Sequence, residues 1–161
     1  MVRGVRRLRG ADAGFTVVEL LVVLMVMAIL LAIAVPLFLG QRSSSGDVSA
    51  QQLLKGALLA ANDVYNDTQD YTQVTAAALA ANDREASFVS GQLTAYAPST
   101  VGFATGALGN GDAGGYIGLA AYSRSGTCWL LYKPADAAAV TGSSSGLPCS
   151  PPTAPPSGRS W

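Results

Sequence analysis

The feature that most constrains this chain is an apolar run from Phe15 to Leu39, "FTVVELLVVLMVMAILLAIAVPLFL", in which Glu19 is the only charged residue. As a helix rising ~1.5 Å per residue it reaches about 37 Å, more than the roughly 30 Å hydrocarbon core of a bilayer. It is long enough to cross a membrane. A carboxylate at the centre of a span costs on the order of 2.5–3.5 kcal/mol on insertion scales. Glu19 sits near the start of the run instead, where the positive end of the helix dipole favours an anion.

Charge distribution gives the run an orientation. Residues 1–14 hold Arg3, Arg6, Arg7 and Arg9 against Asp12, a net +3, and the rest of the 161-residue chain carries −3. The positive-inside rule keeps the arginines in the cytoplasm and sends everything after Arg42 outside it. A basic nucleic-acid-binding domain is not indicated. The chain has no histidine, which excludes His-based catalysis and His-ligated zinc. Its two cysteines, Cys128 and Cys149, are too far apart for a C-x-x-C metal or redox pair. Asp63, Asp67 and Asp70 fail the EF-hand spacing, and "GNGDAGG" offers calcium a single carboxylate. No nucleophile–base pair or phosphate loop stands out, and "GTCW" at Cys128 has no histidine to activate it. The expectation is a non-enzyme with no cofactor and no metal.

Three readings of the N-terminus compete. A secretory signal peptide has the basic start and a small-x-small site at Ala32–Ala34, but the run is too long and continues past it. A plain single-pass anchor accounts for the length but not for Glu19 or the small residues before Phe15. The third reading rests on "GFTVVELLVVLMVMAILLAIAVPLF". This stretch resembles the N-terminus of type IV pilins and the related type II secretion pseudopilins. Gly14 matches the last leader residue, where prepilin peptidase cuts on the cytoplasmic side. Phe15 matches the first mature residue, which is N-methylated. Glu19 matches the conserved-type acid that sets assembly register, and Pro36 the helix-kinking proline. Where many members carry a glycine between these two, this chain has Ala28.

The physics of the residues agrees with that resemblance. Cutting after Gly14 creates a charged amine on Phe15, and Glu19 lies one helical turn further along the same face. The amine can belong to the same chain or to a neighbour; in the family it is the neighbour's. Pro36 removes a backbone donor and crowds the preceding turn, so a kink is expected, and Leu37–Leu39 continue the apolar pattern beyond it.

Beyond the run, "GQRSSSGDVS" (Gly40–Ser49) is a weak helix former, expected to bend or to restart at a cap on Ser45 or Asp47. Leu54, Leu58, Ala61 and Tyr65 then recur at helical spacing, with Ala57 and Val64 beside them. A short helix is expected within 72–83, and short extended segments at "ASFVSG" and "QLTAYAP". From Ser99 the pattern turns to strands: "STVGFAT", "GYIGLAAYS" and a final "TCWLLYK", the last two joined through Arg124–Gly126. Gly106–Gly115 reads as a flexible loop.

The expected fold is α+β: a long N-terminal helix packed on a small antiparallel sheet. The segments are a leader (1–14), a hydrophobic stem (15–39), a globular head containing the amphipathic half of the helix (40–149) and a Pro/Ser-rich disordered tail (150–161). Outside the cytoplasm Cys128 and Cys149 are expected to oxidise, and the pair resembles the C-terminal disulfide of type IV pilins. The resemblance implies a filament subunit, processed by prepilin peptidase/N-methyltransferase. Its further partners are other pilin subunits, an inner-membrane assembly platform and, before assembly, membrane lipid. The chain would be a single-pass protein of the cytoplasmic membrane and then part of an extracellular or periplasmic filament. A secretion or competence pseudopilin has the same stem; a membrane-anchored binding domain that never polymerises is the different-class alternative.

Overall fold

The structure is a computed structural model that describes residues 14–109, 113–157 and 160–161. Residues 1–13 of the expected leader and the middle of the Gly106–Gly115 loop, residues 110–112, lie outside the described residues. The chain forms two units, Met1–Gly40 and Gln41–Trp161.

The first unit is dominated by helix α1, which begins at Val17 and extends to Thr68. Its stretch Val17–Pro36 has a mean hydropathy of 3.0 and no buried residue, and is long and apolar enough to cross a membrane. The helix runs on through Pro36 rather than ending there.

The expected restart in Gly40–Ser49 does not occur, because α1 is helical throughout it. Serine is accommodated by bonding back to the helix, as Ser49 Oγ donates to the Ser45 carbonyl at 2.9 Å. Asp47 lies inside α1 instead of starting a helix, and its carboxylate accepts from Ser123 and from Trp129 of the sheet.

In the second unit, α1 buries Ala50, Leu54, Ala57, Ala61 and Val64. Steps of four, three, four and three place these on one helix face. Leu58 and Tyr65, expected on the stripe, flank it half-buried. The alanines let the helix approach the sheet closely. After α1 come a 3-10 turn at Tyr71–Gln73 and helix α2, Ala76–Asn82. Each starts at a side-chain cap: Asp70 accepts from the Thr72 amide at 2.8 Å and Thr75 from the Ala78 amide at 3.2 Å.

Five strands follow: β1 (Ser87–Ser90), β2 (Thr100–Gly106), β3 (Tyr116–Tyr122), β4 (Thr127–Pro134) and β5 (Val140–Ser145), in that order across one sheet. All pairings are antiparallel except β1 with β2, which is parallel. The fold is α+β and pilin-like, with more strands than the sequence announces. β4, read as the final strand, is followed by β5, whose "VTGSSS" has little apolar content to reveal it. The "QLTAYAP" segment contributes a single bridge, Leu93 with Cys149, in place of a strand.

Strand alternation sorts the sheet into two faces. Val101, Phe103, Ile117, Leu119, Ala121, Trp129 and Leu131 pack against α1. Ala120 and Cys128 face the other way, with Leu93 and Cys149, and Tyr122 and Leu130 lie half-buried beside them. The β3–β4 turn closes with the Ser123 amide on the Thr127 carbonyl at 2.8 Å, and Gly126 takes a φ of 90° there, which costs glycine little.

Residues 150–157 and 160–161 differ from the disordered tail the composition suggests. Pro151 is buried, and Trp161 bonds to β5. Proline removes donors that a strand would need, but it does not prevent docking on an apolar face.

Candidate processing and assembly site

Gly14 and Phe15 precede the first turn of α1. Both are exposed, Phe15 with 82% of its surface accessible.

Thr16 is the N-cap. Its carbonyl accepts the first helical bond, from the Leu20 amide at 3.3 Å. Its hydroxyl accepts from the Glu19 amide at 3.2 Å. Glu19 Oε2 returns the bond, accepting from the Thr16 amide at 3.2 Å and the Thr16 hydroxyl at 3.1 Å. This is a capping box, in which two otherwise unmatched backbone donors are satisfied reciprocally.

The capping box answers how the apolar run tolerates an acid. Glu19 is held at the dipole's positive end by local bonds, which reduces the cost of its charge. Both of those bonds fall on Oε2; among the described residues no donor is seen on Oε1. The role of Thr16 escaped the sequence reading, although the signal was present: Thr-x-x-Glu ahead of an apolar run is the sequence form of a capping box.

Pro36 lies within α1, beyond the capped first turn. Every described apolar residue from Val17 to Val35 is exposed. A surface of this kind demands lipid or other protein around it.

Cys128 and Cys149 are joined in a disulfide, with Cα atoms 5.4 Å apart and both residues fully buried. The bridge ties β4 to the segment that meets Leu93 through two backbone bonds of 2.9 Å.

A second polar centre sits in the head. Asp47 Oδ1 accepts from the Ser123 hydroxyl at 2.6 Å, the Ser125 hydroxyl at 2.5 Å and the Trp129 indole at 3.1 Å. Burial alone would raise this carboxyl's pKa. The three hydrogen bonds to its charged form outweigh that and hold it below the ordinary 3.8. Nothing in the sequence pointed to this pairing, since the partners lie 76 to 82 residues away.

Comparison with known families matches residues 9–35 to the prokaryotic N-terminal methylation motif. The matched stretch contains Gly14, Phe15, Thr16 and Glu19, and most of the exposed stem. No curated protein and no solved structure matches the chain.

Proposed function

From the type IV pilin and pseudopilin motif that the chain carries at residues 9–35, we propose that it is a structural subunit of a type IV pilus-like filament. Prepilin peptidase removes the leader after Gly14 and the new amine on Phe15 is methylated. The mature stem then assembles with the stems of other subunits. The protein is the substrate of the processing enzyme, not an enzyme.

The observation that carries this reading is an uncovered apolar helix with a capped acid one turn from the cut. Lipid covers the stem while the chain is membrane-anchored, with its arginines on the cytoplasmic side. Once the subunit leaves the bilayer, only other stems provide an equivalent surface. Contacts that do not close on themselves build an open helical polymer. Glu19 keeps its local bonds to Thr16 and offers Oε1 to a Phe15 amine, which fixes the register of neighbouring stems. The Cys128–Cys149 disulfide supports the pilus branch over the secretion branch, by likeness to the C-terminal bridge of pilins.

Mass spectrometry of the N-terminal peptide tests the proposal. Chains from cells with active prepilin peptidase are expected to begin at Phe15 and to carry one added methyl group. Chains that still bear Met1, or that begin just after Ala34, would overturn it.

A further inference from the structure

The described residues at the C-terminal end, 150–157 and 160–161, meet the sheet on both of its faces. On the face away from α1, the Pro152 backbone covers Gly118: a Cβ placed on Gly118 would collide with the Pro152 carbonyl oxygen. On the same face, a Cβ on Gly142 would lie 2.8 Å from Pro156 Cβ. Pairing confirms the shared face, because Gly118 lies opposite Tyr132, Gly142 opposite Leu130, and Tyr132 and Leu130 alternate with the inward Leu131. Gly118 is on β3 and Gly142 on β5, two strand spacings apart and two residues along. That is a diagonal of about 12 Å, within reach of the four residue steps from Pro152 to Pro156.

On the α1 side the contacts are made by Trp161. Its ring meets Trp129 edge-on, with centroids 6.1 Å apart, and the Lys55 ammonium of α1 stands 5.4 Å from it. The Trp161 amide donates to Thr141 Oγ1 at 3.3 Å, and its indole donates to the Gly142 carbonyl at 3.2 Å. Thr141 and Gly142 both belong to β5, the last strand of the sheet.

We propose that residues 150–157 and Trp161 act as a strap that holds edge strand β5 from both faces, with Trp161 as its latch against α1. The chemistry of the segment suits the task. Four of the six residues Pro151–Pro156 are proline and bring no N–H, so they can cross an apolar face without leaving donors unsatisfied. The two glycines leave the room that this crossing needs. An edge strand as polar and glycine-containing as β5 is weakly held by its own side chains, and an open edge invites pairing with another copy. Contacts on both faces compensate for that weakness.

The test uses full-length protein in detergent micelles. Hydrogen exchange is followed at the amides of β5, alongside the rate at which a broad-specificity protease cuts within residues 153–157. Trp161→Ala and Gly118→Val are each expected to raise β5 exchange by about tenfold or more and to expose the cut. Trp161→Phe keeps an aromatic ring against Trp129 but loses the indole donor to Gly142, and is expected to fall between wild type and Trp161→Ala. Gly109→Ala, where an added Cβ meets nothing within 4 Å, is the control. The proposal is overturned if Trp161→Ala matches the control in both readouts. It is also overturned if Trp161→Ala raises exchange in β3 and β4 as much as in β5, which is global loosening. Should Gly118→Val fail to fold, Trp161→Ala decides alone.

Discussion

At the scale of single residues, Asp47 shows how one carboxylate joins distant parts of the chain. One oxygen receives the donors of Ser123, Ser125 and Trp129, so the charged form is favoured in the folded protein and its pKa falls below 3.8. A lowered carboxyl pKa stabilises the fold above the unfolded value and loses that contribution as pH falls through the folded one. Asp47→Asn is therefore expected to lower stability by about 1–2 kcal/mol at pH 7, the partial exposure of the site reducing the full worth of charged hydrogen bonds. The gap should close as pH drops below about 4, where the wild-type carboxyl also begins to take up its proton. Urea unfolding followed by tryptophan fluorescence at pH 7 and at pH 3 measures both. A gap of equal size at the two pH values would refute the charge-based account. Thr16 and Glu19 bond across three positions, a spacing that local rules can read, although the sequence reading singled out only Glu19. Asp47 depends on a hairpin some eighty residues away, and a helix-cap expectation took its place.

Among the elements, legibility follows the strength of the repeating pattern. Helix α1 was readable because its apolar run and its later stripe each obey a period, while β3 and β4 were readable as apolar runs on either side of a turn. The turn chemistry of "RSG" located their junction. β5 was missed because an edge strand of Gly, Ser and Thr is defined by its neighbour β4, not by its own side chains. The parallel pairing of β1 is likewise a property of the connection through residues 91–99. The disulfide is the element-scale bond that secures this less legible region. It closes a segment of sequence separation 21 that includes all of β5. Replacing both Cys128 and Cys149 by alanine is expected to cost about 3 kcal/mol, the chain-entropy value for a loop of this length. The denaturant midpoint should fall accordingly, and the amides of β5 should lose more protection than those of β2. A double variant within about 0.5 kcal/mol of wild type would show that packing alone holds the strand.

For the whole molecule, the decisive quantity is where the one stem charge lies, not how apolar the stem is. Hydropathy sees Glu19 as a single defect in a long run and is blind to its position. A paired variant isolates position from composition: Glu19→Val together with Val23→Glu moves the acid one turn inward and leaves the residue content unchanged. The shift is about 6 Å along the helix. The capping box is lost because Thr16 no longer has an acid three residues on. A carboxylate nearer the bilayer centre also costs more, though a span of this length still has apolar residues in excess. The variant is therefore expected to remain in the membrane fraction and to be cut after Gly14, since Gly14 and Phe15 are untouched. It is not expected to enter filaments, because the acid no longer stands one turn from the Phe15 amine. Membrane fractionation, N-terminal mass spectrometry and electron microscopy of sheared filaments give the three readouts on one culture. Normal filaments from the relocated acid would show that any charge in the stem suffices, and the registry role of Glu19 would fall.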